Sequence, residues 1–260
     1  MSDVETEIKF LITNYCAQNF VEEIIRSKPE GWAWTTPLKE LTIHDSYFDT
    51  LAHDLRKLKW GLRVRSKNKE KFITLKGPSV VTRSGALERQ EFEDRLDDRS
   101  MRIFLDRIRS LGVRTVPEAT RLSNPGNWLE SQGLAPVQKR KTIRMLRKIG
   151  LKDSQNPIAE MSLDTVYYEI AEFLVIHVEV EIESTRGIPT EDFERLIDVI
   201  KIRLPVGARE WRVDKLALGF LLDELHQQGV LRGMIDSNHR LLDKSYDLIK
   251  NLLSNTEEKS

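Results

Sequence analysis

One cysteine in 260 residues, Cys16, rules out an internal disulfide and any metal site built from several thiolates. It falls in a helical, amphipathic stretch, where a buried structural thiol is expected. Runs of apolar residues long enough to span a bilayer are missing, and the acidic start does not resemble a secretion signal, so a cytoplasmic protein without a membrane partner is expected. Net charge is missing too: 41 Lys and Arg balance 41 Asp and Glu, so no global field draws the chain to nucleic acid or anionic lipid. Any affinity for a polyanion must then come from local sorting of charge. The histidines (His44, His53, His177, His226 and His239) lack metal-ligand spacing on one helix or strand. There is no internal repeat and no low-complexity linker.

What is present is an alternation. Glu5, Glu7 and Lys9 occupy every second position of Val4-Glu5-Thr6-Glu7-Ile8-Lys9-Phe10, with Val4, Ile8 and Phe10 in the other phase. On a strand this gives one charged and one apolar face, whereas a helix would scatter the same residues. The pattern recurs at Arg63 and Arg65, at Thr74 and Lys76, at Arg89, Glu91 and Glu93, and at Glu179, Glu181 and Glu183. A half-buried sheet alternates in this way without any function. Here, however, the polar phase is almost entirely ionised and sorted by sign, with acids at 5, 7, 179, 181 and 183 and bases at 63, 65 and 76. Like charges on one strand repel, so sorting is sensible where acids hold divalent cations and bases hold a polyanion.

Strands are expected at 4–10, 39–48, 60–67, 71–76, 87–94, 137–147, 158–168 and 172–183. Helices are expected at 13–28 with Thr13 as cap, near 51–58, after 98, at 191–202, at 211–228 and at 237–253. Residues 29–37, with Trp32 and Trp34, read as a loop; Asn68-Lys69 and Arg83-Ser84-Gly85 read as turns. The segment 98–136 reads as a helical and loop insertion. A charged face is untenable in a core unless it encloses water, ions or a ligand. Closing the strands into a barrel satisfies both faces, with charge inside and apolar faces packed outside against helices. Asp164, Lys139, Lys141 and the residues above would share that interior. The fold class is thus α+β: a closed eight-stranded antiparallel barrel with a charged interior, flanking helices and a helical C-terminal extension.

In order along the chain, these motifs resemble the CYTH superfamily, the triphosphate tunnel metalloenzymes. They are Glu5-x-Glu7-x-Lys9, Tyr47-Phe48-Asp49-Thr50, Leu62-Arg63-x-Arg65, Thr74-x-Lys76-Gly77-Pro78, Arg89-x-Glu91-x-Glu93, Asp164 and the glutamates of 179–183, with Lys215 as the late basic residue. The family's Lys-x-Arg pair is replaced by Lys139-x-Lys141, which keeps charge but loses the guanidinium fork. The resemblance runs from about 4 to 220 and makes 1–228 the tunnel domain and 229–260 an extension.

The resemblance implies a tunnel in which Glu5, Glu7, Asp164, Glu179 and Glu181 hold Mg2+ or Mn2+, with Asp164 alternatively only steadying a basic neighbour. It implies that Lys9, Arg63, Arg65, Lys76, Arg89, Lys139, Lys141 and Lys215 hold the phosphates. Glu5, Glu7, Glu91 and Glu181 would be the catalytic acids, with Glu181 or Glu91 orienting water. Tyr47 and Asp49 read as shaping a strand end, His177 as a lining residue, and Arg144, Arg147 and Lys148 as a solvated strand end. The activity implied is hydrolysis of the terminal phosphoanhydride of inorganic triphosphate or a nucleoside triphosphate. An RNA 5′-triphosphatase, a class IV-type adenylyl cyclase, a thiamine triphosphatase and a non-catalytic polyphosphate or nucleotide binder are the alternatives. The expected partner is a small triphosphate, with nucleic acid only as 5′-triphosphate RNA. The apolar stripe of the last helix fits either a homodimer or packing on its own domain.

Overall fold

The computed structural model describes residues 3–27, 31–82, 85–116, 124–152, 156–185 and 187–257. The positions Lys28, Pro29, Arg83, Ser84 and Pro117, which enter the loop and turn expectations above, lie outside the described residues. Among the latter are β1 (Asp3–Ile12), α1 (Tyr15–Arg26), β2 (Trp32–Trp34), β3 (Lys39–Asp49), α2 (Asp54–Lys57), β4 (Gly61–Lys67), β5 (Glu70–Val81) and β6 (Leu87–Arg95). Then follow α3 (Asp98–Ser110), α4 (Pro125–Ser131), β7 (Ala135–Leu151), β8 (Ala159–Ile170), β9 (Phe173–Ser184), α5 (Thr190–Arg203) and β10 (Ala208–Glu210). The chain ends in α6 (Lys215–Gln227), a 3-10 turn (Leu231–Met234) and α7 (Asp243–Glu257).

The strands hydrogen-bond in the order β10-β1-β6-β5-β4-β3-β7-β8-β9, and β9 pairs again with β1. That last pairing closes eight strands into an antiparallel barrel, with β10 and β2 added at β1 and β7. The chain groups into two compact units, one of Met1–Glu5, Thr42–Val81 and Glu88–Lys141, the other of Thr6–Leu41, Thr82–Leu87 and Thr142–Ser260.

In the first unit, β4 and β5 form a hairpin in which Lys67 faces Glu70 across Asn68 and Lys69. Both turn residues have positive φ (49° and 71°), as a tight two-residue hairpin matching the strand twist requires. Leu62, Ile73 and Leu75 turn their apolar phase to Met101, Phe104, Leu105 and Ile108 of α3. Asp97 caps α3 by accepting from the Ser100 amide, and the Ser100 hydroxyl accepts from the Asp97 amide in return. Gly77 lies against the Trp60 ring, where an added Cβ would be a tight 3.0 Å from it.

In the second unit, one apolar core joins Ile8, Phe10 and Ile12 of β1, Met161 and Leu163 of β8 and Val178, Val180 and Ile182 of β9. Helices α1 (Ala17, Val21, Ile25) and α5 (Phe193, Leu196, Ile197, Ile200) cover it. A second core joins Leu11, Val166, Tyr168 and Val175 with Trp211, α6 and the Tyr246 and Ile249 side chains of α7. Leu11, Val166 and Val175 share strand phases with Lys9, Asp164 and His177. The polar strand face therefore turns apolar at one end, where residues after 206 cover it.

Several expectations are corrected. Asn14 caps α1 in place of Thr13. Trp32 and Trp34 form strand β2 against β7, not a loop, and Trp32 is buried. Residues 208–210 are a strand, so α6 starts only at Lys215. Cys16 is exposed because the buried stripe of α1 runs through Ala17, Val21 and Ile25, one position away. Val4 is exposed despite sharing the phase of Ile8.

Candidate functional site

Two clusters of buried charge stand in the structure, one in each unit. In the second unit, β8 and β9 pair so that Asp164 faces Glu179 and Ser162 faces Glu181. Carboxylate oxygens of Asp164, Glu179 and Glu181 lie within 4.8 Å of one another. Such a group would repel itself apart without cations. Lys215 supplies one, with Nζ 3.0 Å from Asp164, 2.5 Å from Glu181 and paired with Glu179. An ammonium in the first turn of a helix opposes the helix dipole, so the carboxylates, not α6, dictate its place. Arg144 supplies the other, its guanidinium donating to both oxygens of Asp164 (2.7 and 2.5 Å) and to Glu181 at 2.5 Å.

Burial alone would raise the Glu179 and Glu181 pKa values, but Lys215 at both, joined by Arg144 and Lys9 at Glu181, holds them below the ordinary carboxylate range. Burial likewise opposes the charge on Lys215, and Glu179, Glu181 and Asp164 together raise its pKa. Lys9 faces Glu181 across the β1–β9 pair, donates to the Val213 carbonyl at 3.1 Å and lies 3.6 Å from Glu7.

In the first unit, Glu5 accepts from Lys76 at 2.8 Å and from Arg89 at 2.6 Å. Lys76 also lies 3.2 Å from Glu91. Against burial, Lys76 and Arg89 drive the Glu5 pKa far down. Burial, reinforced by the Glu5 charge, instead pushes Glu91 up, although Lys76 and Arg63 resist. The two carboxyls thus separate in acidity, the pattern expected of an acid–base site. Arg63 donates to Thr74 at 3.1 Å and to Glu93 at 3.3 Å. Arg65 makes a forked pair with Asp45 at 2.7 and 2.9 Å, and Arg140 donates to Asp45 at 3.4 Å and to the Tyr47 hydroxyl. These guanidiniums overcome burial and keep Asp45 ionised.

The structure thus brings together Asp164, Glu179, Glu181 and Lys215 in one cluster, and Glu5, Arg63, Lys76, Arg89 and Glu91 in the other. The acidic group of three includes neither Glu5 nor Glu7. Lys139 and Lys141 are corrected: both are exposed, and the buried phase of β7 is Gln138, Arg140 and Thr142. Cations occupy both phases of Lys139-Arg140-Lys141, so alternation there cannot tell inside from outside. Arg144, expected at a solvated strand end, is the partner of Asp164 and Glu181. Asp49 does shape a strand end, accepting from the amides of Thr50, Leu55 and Arg56. Asp45 went unnoticed in the sequence, although it shares a phase with Tyr47 and Asp49.

The donor set suits a hard divalent cation, because Asp164, Glu179 and Glu181 offer only carboxylate oxygens. Glu179 Oε1 is ion-paired with the Lys215 ammonium, so a bound cation would take the place that this ammonium now holds.

Across residues 3–206 the chain matches the model of the CYTH domain. The chain belongs to the CYTH domain family. No curated protein matches it by sequence. Among solved structures, this CYTH chain is similar to a candidate adenylyl cyclase from Hippeastrum reported to have a dominant triphosphatase activity. That similarity has TM-score 0.54 at 18% identity, over 84% of this chain and 95% of that one. It is also similar to a candidate adenylate cyclase from Bacillus halodurans (TM-score 0.52, 17% identity, 84% and 98% covered). At such identities the likeness shows the CYTH fold. Among the described residues no helix is long and apolar enough to cross a membrane.

Proposed function

We propose that this CYTH protein is a metal-dependent triphosphatase that hydrolyses the terminal phosphoanhydride of inorganic triphosphate or a nucleoside triphosphate. The observation that carries the reading is the convergence of Asp164, Glu179 and Glu181 within 4.8 Å, buried and offset by Lys215 and Arg144. These carboxylates would hold Mg2+ or Mn2+. When bound, such an ion offsets charge on the phosphoryl oxygens.

The chain's own residues have separate tasks. Arg63, Arg65, Lys76 and Arg89 are assigned to phosphate oxygens, which would exchange with the carboxylates these cations now hold. Glu5 keeps Lys76 and Arg89 in place, and Glu7 does the same for Lys9. Lys9 and Lys215 are assigned to phosphate as well. Of the two carboxyls weighed for orienting water, Glu181 is held ionised by three cations and suits a ligand. Glu91, with its raised pKa, suits taking a proton. The domain proposed for this chemistry is 1–228, with 229–260 as an extension and the cytoplasm as its compartment.

The activity reported for the Hippeastrum protein supports hydrolysis over cyclisation. The test is phosphate release from tripolyphosphate, ATP and GTP with Mg2+ or Mn2+, for wild type and Asp164→Asn. Metal-dependent release that drops about a hundredfold in the variant is expected, the scale of losing one charge-stabilising group. No release from any of the three substrates would sink the reading, and cyclic AMP with pyrophosphate from ATP would replace it with cyclase chemistry.

A further inference from the structure

Helix α7 lies beyond the 3–206 stretch that matches the family, yet it reaches the acidic group through a chain of buried side chains. Tyr246 Oη lies 3.3 Å from His177 Nδ1, and His177 Nε2 lies 2.8 Å from Glu179 Oε2. His177 and Glu179 have 0% exposure and Tyr246 has 4%, so these bonds are shielded from bulk solvent. Trp211 closes the group, its ring 6.0 Å from His177 and edge-on to Tyr246 at 5.6 Å.

The direction of the chain follows from chemistry. An ionised carboxylate only accepts, so Nε2 must carry the proton it gives Glu179. That leaves Nδ1 facing the Tyr246 hydroxyl at 3.3 Å, where a ring protonated at Nε2 alone accepts from it. Burial raises the Tyr246 pKa, which keeps that hydroxyl protonated as the arrangement requires. Glu179 Oε2 is thereby fixed by His177, while Oε1 faces the Lys215 ammonium and the rest of the acidic group. A carboxylate held on one oxygen by a residue behind it is oriented to present the other to the site.

We propose that Tyr246, acting through His177, is a positioning residue for Glu179, so that the C-terminal helix sets the protein's affinity for its divalent cation. This rests on the metal-dependent reading above. Tyr246→Phe removes one oxygen and keeps the ring against Trp211. His177→Leu removes the whole link.

The experiment is a Mn2+ titration of the full chain, without substrate, followed by electron paramagnetic resonance. Tyr246→Phe should weaken Mn2+ binding about tenfold, at the low end of the effect of residues that orient metal ligands. His177→Leu should weaken it at least as much, and the double variant should match His177→Leu alone, because one acts through the other. An unchanged affinity in Tyr246→Phe, or additive losses in the double variant, overturns the proposal while leaving the metal reading intact. A wild type that binds no Mn2+ overturns both. Should a variant not fold, the 15N histidine spectrum of the wild type still decides. His177 should carry a proton at Nε2, and a ring protonated only at Nδ1 overturns the proposal.

Discussion

Lys215→Met is the perturbation that most directly probes the acidic cluster. It keeps most of the apolar stem of the side chain and removes one ammonium, leaving Asp164, Glu179 and Glu181 to face one another with Arg144 and, at Glu181, Lys9 as the remaining cations. Removing one partner from a buried ion cluster costs about 3–5 kcal/mol, because the charges left behind stay buried. For a chain of this size each kcal/mol is worth about 2–4 °C, so the melting temperature at pH 7 should fall by roughly 6–20 °C. The control is Arg95→Met, which breaks an exposed pair with Glu70 at 2.5 Å (side chains 74% and 51% exposed). Such a surface pair is worth about 0–1 kcal/mol.

The pH dependence gives a sign. Glu179 and Glu181 are depressed in the folded state. Their contribution is therefore present above the unfolded carboxylate pKa, about 4.3, and is lost as pH falls through the depressed folded values. The penalty of Lys215→Met should shrink below about pH 4, where the exposed carboxyls of the unfolded chain are protonated and those of the variant can follow. Added Mn2+ should return part of the loss, about 2.7 kcal/mol at a hundredfold excess over its dissociation constant. Calorimetry of both variants from pH 3.5 to 8 measures all of this. Equal shifts for Lys215→Met and Arg95→Met would refute the reasoning that the cluster is both buried and electrostatically strained.

Other outcomes follow from the same geometry. Lys139→Ala/Lys141→Ala should change urea stability by less than about 0.5 kcal/mol, whereas Arg140→Ala, which takes a buried donor from Asp45 and Tyr47 while Arg65 stays on Asp45, should cost about 1–3 kcal/mol; the reverse order would restore the opposite strand phase. Glu5→Gln should flatten the fall in stability with acidification below about pH 4.5, because the depressed Glu5 pKa makes its stabilisation vanish there, and parallel wild-type and variant curves would contradict it. Leu62→Ala, opening a hole between the β4–β5 hairpin and α3, should cost about 2–5 kcal/mol in denaturant unfolding.

The sequence by itself determined which faces are charged and which apolar, because a strand's period of two leaves no choice once a segment is extended. Glu5, Glu7 and Lys9, Arg63 and Arg65, Thr74 and Lys76, and Glu179 and Glu181 are legible in that way, and with them the closed antiparallel barrel. The pattern failed where both phases carry the same chemistry. Along Lys139-Arg140-Lys141 only the pairing of β7 decides that Arg140 turns inward to Asp45, and only packing makes Arg144 the partner of Asp164. Cys16 shows the helical form of the same limit, since one residue of rotation separates a buried from an exposed side chain. The link from Tyr246 through His177 to Glu179 joins positions 69 and 2 residues apart. The step of two follows the strand period, but no local period encodes the step of 69. It exists because α7 folds back onto the end of β9 where the polar face turns apolar, and that return is a property of the packed chain alone.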